Sequence, residues 1–390
     1  MDGMDRVETP DSEAGVCAVV QGARAAREPI EIVGGGTRRA LGRPVQAARS
    51  LSLCALTGIT HYEPGALTIG AAAGTPLEEI NAALAAEGQR LSFEPLDHRR
   101  LLASEGAPTI GAVAACNLSG PRRIVSGACR DSLIGVRFVD GTGDVVKNGG
   151  RVMKNVTGYD LVKLLCGSWG TLGVLTEVTI KVQPISERAV TLVIHDLDIV
   201  AAVATMSAAL SSPYEVSGAA HLPGAPSRTV LRIEGFARQV DYRLARLADR
   251  LKVTPDTLEG AAHDALWREI RDMEPFAGDT RPVWRLSVRP SDAPALGKAL
   301  QERCGADLML DWGGGLMVAK LPDTDDAGAA AVREELARFG GHATLTRAPA
   351  QLRAAVPVFQ PPAPRVAALS EAIRQTFDPD RILNPGRMAA

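Results

Sequence analysis

Residues 30–39 run Ile30-Glu31-Ile32-Val33-Gly34-Gly35-Gly36-Thr37-Arg38-Arg39, four residues of strand character ending in three glycines, a hydroxyl and two guanidinium groups. Consecutive glycines after a strand let backbone N–H groups converge on one point, a concavity suited to an anion. Thr37 adds a hydroxyl donor there and Arg38 a countercharge. A tight turn between the strand and the next element would use the same residues, so this stretch alone leaves both readings open. Two common phosphate loops are excluded. Position 39 is Arg, which breaks G-x-G-x-x-G, and no Gly-Lys-Ser/Thr follows.

Moving outward, two further glycine-rich segments precede Pro184. The first is small and apolar: Thr109-Ile110-Gly111-Ala112-Val113-Ala114-Ala115-Cys116-Asn117-Leu118-Ser119-Gly120. A flat ligand or another backbone can approach such a run closely, with Asn117, Ser119 and Gly120 as donors at its end. The second is Gly167-Ser168-Trp169-Gly170-Thr171-Leu172-Gly173-Val174-Leu175-Thr176, which opens a strand over 174–182 where no hairpin is expected. Its spacing is not the G-x-S-x-G of a hydrolase elbow. The three segments together predict a composite dinucleotide site within one domain.

Around them the pattern predicts a helix over 14–27. A second helix should begin with Thr75 as N-cap, Pro76 at N1 and Glu78 at N3 as a capping box. A hairpin is expected over 134–147, turning at Asp140-Gly141-Thr142-Gly143, and a short helix over 159–166. Beyond Pro184, strands (190–194, 229–237, 284–288, 316–321) alternate with helices (198–210, 239–252, 292–303, 326–339), an α+β rhythm of ferredoxin-like kind. No internal repeat stands out. Residues 357–364 are proline-rich and read as a linker, Asp311 to Gly315 as a bulged turn. His342 and Arg347 fall on the last strand of that region, where a carboxylate could be held.

Length and composition fit this picture. The chain has 390 residues, 39 of them glycine, which suggests two or three domains. A formal charge of −2 and a pI near 6.3 lack the basic footprint of a nucleic-acid binder. Mean hydropathy is +0.03, yet no apolar run is long enough for a membrane span, and Met1 to Pro10 is acidic rather than signal-like. The cysteines (Cys17, Cys54, Cys116, Cys129, Cys166 and Cys304) form no C-x-x-C, and the histidines no H-x-x-x-H. Neither metal nor disulfide framework is expected, and the thiols read as buried in a reducing compartment.

These segments, in this order, resemble the FAD-binding domain of the vanillyl-alcohol oxidase superfamily, the p-cresol methylhydroxylase (PCMH) type. The run Lys154-Asn155-Val156-Thr157-Gly158-Tyr159-Asp160-Leu161, continued by 170–176, is similar to the signature of its 2-hydroxyacid branch. The tail Asp378-Pro379, Ile382-Leu383-Asn384-Pro385-Gly386 resembles that branch's C-terminal return to the flavin. Gly120-Pro121-Arg122-Arg123, Ser126 to Asp131 and Phe377 to Met388 are similar to the E-type subunits of bacterial glycolate oxidases.

The resemblance implies an α+β chain with a two-subdomain PCMH-type FAD-binding domain (10–186) and an α+β, ferredoxin-like cap (187–348). A linker and C-terminal segment (349–390) would pack back on the FAD domain. It implies FAD held non-covalently, since Thr37 stands where flavinylated members carry His. The implied contacts are Gly34, Gly35, Gly36, Thr37, Arg38, Thr109, Ile110, Gly111, Ala114, Asn117, Ser119, Gly120, Gly127, Gly170, Thr171, Gly173, Val174 and Asn384, with Lys154 and Tyr159 near the flavin. The implied activity is oxidation of a small 2-hydroxyacid, glycolate to glyoxylate, beside a D-type flavin subunit and an iron–sulfur F-type subunit. That places the chain in the cytoplasm, peripheral to the inner membrane through the complex. The histidine metal motif of the catalytic relatives has no counterpart, and no catalytic base is identified. A flavin-holding or electron-relay subunit, with turnover in the partner, is the alternative.

Overall fold

The computed structural model describes residues 6–150 and 158–388. The chain divides into two compact units. The first comprises residues up to 119, 126–185 and those from 361; the second comprises 120–125 and 186–360. Each is α+β.

In the first unit the elements run β1 (Arg6–Glu8), α1 (Glu13–Ala26), β2 (Ile30–Val33), β3 (Arg49–Ser52), β4 (Ile59–Glu63), β5 (Thr68–Ala72), α2 (Leu77–Ala86), β6 (Gln89–Arg90), α3 (Arg99–Leu102) and α4 (Ile110–Cys116). After α5 (Arg123–Ser126), which crosses between the units, come α6 (Cys129–Ser132), β7 (Leu133–Val139), β8 (Val145–Gly149), α7 (Leu161–Leu165), β9 (Val174–Lys181) and β10 (Gln183–Pro184). They make two subdomains. One is a parallel sheet in the order β1-β3-β2, and the other an antiparallel sheet in the order β4-β5-β9-β7-β8. A single apolar core joins α1 (Val16, Val20) to Ile30, Leu51, Ile69, Val178 and Ile180.

Local chemistry explains α1. Ser12 Oγ accepts from the Gly15 N–H at its start, and Arg27 closes its end in the left-handed region. Burying Val16 and Val20 completely contributes about 1.5–3 kcal/mol each. The start of α2 differs from expectation. Pro76, not Thr75, occupies the N-cap position, with no side-chain cap. The Thr75 hydroxyl is drawn instead to the Ala72 carbonyl at 2.7 Å and accepts from the Gly58 N–H at 3.0 Å. The first helical amide, Leu77, donates to Pro108 O.

In the second unit the chain runs β11 (Arg188–His195), α8 (Ile199–Leu210), β12 (Val216–Leu222), β13 (Arg228–Gly235), α9 (Ala237–Leu251) and β14 (Asp256–Glu259). After α10 (Gly260–Arg271) the same succession returns. It consists of β15 (Val283–Ser287), α11 (Ala293–Cys304), β16 (Asp307–Asp311), β17 (Leu316–Lys320), α12 (Ala329–Ala337) and β18 (His342–Arg347). Their eight-stranded antiparallel sheet has the order β14-β11-β13-β12-β16-β17-β15-β18. The order within each half is the ferredoxin-like 4-1-3-2, and the halves meet edge to edge where His221 pairs with Leu310. The second unit is therefore an internal repeat, contrary to the sequence reading. It repeats in the order of elements, because buried strand positions require apolar groups rather than particular residues.

Residues 349–360 pack with this second unit. Val358 is fully buried and its carbonyl accepts from the Leu345 N–H, while Arg333 donates to the carbonyls of Pro357 and Phe359. The expected linker thus begins as a bound edge. It continues, after α13 (Ala350–Ala355), to α14 (Pro364–Phe377) in the first unit. There, Ile30 bridges Leu383 in parallel, adding the C-terminal segment to the edge of β2. Among the described residues no helix is long and apolar enough to cross a membrane.

Candidate functional site

β2 delivers the chain into 34–37, and there the hydrogen-bonding ladder stops. Among the described residues, the backbone N–H groups of Gly34, Gly35, Gly36 and Thr37 have no acceptor. A Cβ at Gly35 would overlap the carbonyl of Ala107, so only glycine permits the loops 34–38 and 104–109 to meet backbone against backbone. Ser104 Oγ fixes that meeting by donating to Thr37 O at 2.9 Å. Arg38 is buried, and its Nη2 donates to Leu96 O at 2.9 Å.

The second glycine segment folds as α4, preceded by Thr109. Gly111 lies against the end of β5, where a Cβ would sit 2.7 Å from Ala73 O. The amides of Ile110 and Gly111 already donate to Thr75 O (3.1 Å) and Ala73 O (2.8 Å), so the start of α4 contributes proximity rather than these two donors. The Thr109 side chain makes no capping bond. Its Oγ1 is buried and has no hydrogen-bond partner among the described residues.

Other residues of this run hold the scaffold together. Ile110 and Ala114 are core, with no exposure. Asn117 Oδ1 accepts from the Arg130 N–H at 3.0 Å, and Ser119 Oγ from the Cys129 N–H at 2.9 Å. Gly127 turns the chain over Asp131. Gly120 belongs to the second unit, where its carbonyl accepts from Trp312 Nε1 at 3.1 Å.

The third segment is anchored to the second by Gly167 N–H to Ala114 O and Trp169 N–H to Ala115 O. Thr171 Oγ1 donates to Ser168 O at 2.7 Å, and Val174 enters the core at the head of β9. Asn384 clamps this loop to β2. Its Oδ1 accepts from the Ile32 N–H and its Nδ2 donates to Trp169 O, both at 2.8 Å. Tyr159 is 90% exposed, and Lys154 lies outside the described residues.

The three segments converge on one cleft. It brings together Gly34, Gly36, Thr37, Arg38, Thr109, Gly111, Gly170, Gly173 and Asn384. Gly35, Ile110, Ala114, Asn117, Ser119, Gly120, Gly127, Thr171 and Val174 do not line it. The reading from sequence missed Ala73, Ala112, Ala115, Cys116, Trp169 and Arg387, which do. Trp169 was readable as part of the third cluster. Arg387 was not, because its place depends on the tail folding back: its Nη1 donates to Leu41 O at 2.9 Å and its Nη2 to Glu31 Oε1 at 3.0 Å.

The electrostatics favour an anion. Arg38 and Arg387 both line the cleft, the latter paired with the Glu31 carboxylate. Burial pushes the Cys116 thiol up to about 11, against the pull of both arginines, so it stays protonated at neutral pH. Among its described lining residues the cleft presents no ionised nucleophile. Among the described residues, no group of three His, Cys, Asp or Glu stands ready to hold a metal.

Known proteins resemble the chain at both levels. A family model described as an FAD binding domain matches residues 4–149. The Escherichia coli K12 protein named glycolate oxidase subunit GlcE is 34% identical over 366 residues, covering 93% of each chain. Glycolate oxidase subunit GlcD of Bacillus subtilis is 41% identical over 99 residues, 25% of this chain and 21% of that one. The structure of p-cresol methylhydroxylase superposes with a TM-score of 0.72 at 15% identity, covering 98% of this chain and 88% of that one, a likeness of fold.

Proposed function

This chain belongs to the family of glycolate oxidase subunit GlcE, and from that premise we propose that it is the FAD-binding subunit of a 2-hydroxyacid dehydrogenase complex oxidising glycolate to glyoxylate. The observation that carries the proposal is the cleft at the end of β2, lined by Arg38 and Arg387, where the amides of Gly34, Gly36 and Thr37 have no acceptor among the described residues. The residues present fit FAD. A diphosphate would take the amides of Gly34, Gly36 and Thr37, with Arg38 and Arg387 as countercharges and Thr109 Oγ1 as a donor otherwise unused among the described residues. Gly111, Gly170 and Gly173 would leave bare backbone along the rest of the ligand.

When bound, FAD supplies the two-electron acceptor: a hydride leaves the carbinol carbon as the hydroxyl loses its proton, giving the aldehyde. The chain's part is to fix the cofactor and exclude water, and Asn384 holds two walls of the cleft together for that purpose. Electrons then pass to an iron–sulfur partner subunit, beside a D-type flavin subunit, in a cytoplasmic complex at the inner membrane. Thr37 offers no nucleophile for a flavin linkage, so the cofactor dissociates.

The test begins with the absorbance of the purified chain. Flavin bands are expected, and acid precipitation should release them to the supernatant. Absence of such bands after reconstitution with FAD overturns the proposal. Anaerobic glycolate should then bleach the flavin. A chain that stays oxidised alone but bleaches with its partners would place turnover in the partner, leaving this subunit to hold flavin and relay electrons.

A further inference from the structure

Two arginines on the sheet of the second unit differ in what they touch. Arg347, on β18, is fully engaged in structure: Nε donates to Arg281 O (2.8 Å), Nη1 to Phe276 O (2.6 Å) and Nη2 to the Asp279 carboxylate (2.8 Å). That occupies the group the sequence singled out for a carboxylate, while His342 is exposed at the start of the same strand. Arg285, in the middle of β15, is the opposite case. It is half-buried, and its guanidinium makes no hydrogen bond or ion pair among the described residues. Its one close partner is an aromatic face: its Cζ lies 4.9 Å from the centroid of the Trp312 ring.

A guanidinium in that state is incomplete. It carries five donors in a planar fork shaped for a carboxylate, and stacking on an indole leaves the in-plane donors unused. A second cation makes the position more demanding. Arg123 Cζ lies 4.7 Å from the centroid of the same ring. The segment bearing it is locked in place by neighbours. Arg122 pairs with Glu234 at 2.6 Å through a carboxylate only 5% exposed, and Gly120 O receives the Trp312 indole N–H. Burial and the field of Arg123, offset in part by Asp311, push Arg285 down to about 10, still protonated at neutral pH. Two cations are thus held together where one lacks any hydrogen-bonding partner. Directly across the ladder from Arg285 stands Thr344, whose hydroxyl shares that face.

We propose that Arg285, beside Arg123 on the Trp312 indole, is a carboxylate-binding residue of the second unit, a site for a small organic acid. The carboxylate accepts the in-plane N–H groups of Arg285, and the Thr344 hydroxyl lies in the adjacent row for a second polar contact. The site itself rests on residues of the second unit alone.

The full flavin-loaded chain would be titrated calorimetrically with oxalate, a non-reacting dicarboxylate, and with glycolamide, which lacks a carboxylate. Oxalate should bind and glycolamide should not. R285M should weaken oxalate by about 10- to 100-fold with its flavin spectrum intact. R289M should bind as wild type does, because Arg289 is exposed and pairs only with Asp292. R285M binding oxalate as tightly as wild type overturns the assignment. If R285M does not fold, R285K, which keeps the charge but loses the fork, must bind oxalate more weakly with flavin retained, and equal affinity overturns the site. A wild-type chain that binds flavin but no oxalate overturns this inference, whereas one that binds oxalate but no flavin overturns only the function proposed above.

Discussion

Thr109 shows how one atom can separate binding from folding. Its hydroxyl is buried without a partner, so it contributes nothing to holding the protein together, and leaving it unpaired costs about 1–3 kcal/mol. Thr109→Val keeps the shape and removes the polar atom. The variant should be at least as stable as wild type in urea without flavin, yet bind FAD about 3- to 10-fold more weakly, the worth of one ordinary hydrogen bond. Unchanged FAD affinity would remove Thr109 from the diphosphate site. Gly35 is less informative, because any side chain there would overlap Ala107 and disturb the loop whether or not a ligand binds. The glycines were legible in the sequence as a cluster. Which of them face a ligand and which face backbone was not, since that depends on loops 70 residues apart in the chain.

Among the elements, α10 and the sheet it covers carry a pH response. Trp267 Nε1 donates to Thr191 Oγ1 at 2.7 Å, and His263 Nδ1 lies 2.9 Å from that hydroxyl, all three buried. Burial, with the nearby Arg232 guanidinium, holds His263 below its ordinary value of 6.5. His221, bonded to Thr229, is likewise lowered by burial. A histidine whose folded pKa is depressed binds its proton better in the unfolded chain. Its contribution is present above the unfolded value and disappears as pH falls through the folded one. The urea midpoint should therefore drop as the medium is acidified below about pH 6.5, and His263→Gln should flatten that slope even if it lowers stability throughout. A slope identical in the variant would show that the buried ring does not titrate with unfolding.

Elements also differed in how openly the sequence displayed them. The helix α1 carries its own caps and apolar stripe and was read within a residue. β12 was missed, because Val-Ser-Gly-Ala-Ala-His-Leu is buried at every position and so lacks the alternation that marks a half-buried strand. Thr75 was misread because a hydroxyl with the right spacing to cap a helix was closer, in the folded chain, to the carbonyls of the preceding strand.

For the whole molecule, two units with separate cores predict two events on heating. Calorimetry should resolve two transitions, and FAD should raise only the one belonging to the unit that holds the cleft. At 100 times the dissociation constant that stabilisation is about 2.7 kcal/mol. A single transition shifted as one by FAD would show that the units unfold together. The overall charge lacks the excess of a nucleic-acid binder: 43 basic residues are balanced by 45 acidic ones.

By itself the sequence determined the dinucleotide character of the first unit, its place in a family and the longer of its strands. Glycine runs and backbone geometry are local properties, written where they act. The tertiary structure alone decided which atoms go unsatisfied. Four amides after β2, a threonine hydroxyl and the Arg285 guanidinium are unremarkable as residues, and their lack of partners among the described residues exists only once the rest of the chain has taken its positions. The repeat in the second unit was hidden for a related reason: burial constrains the kind of side chain a strand offers, and leaves its identity free.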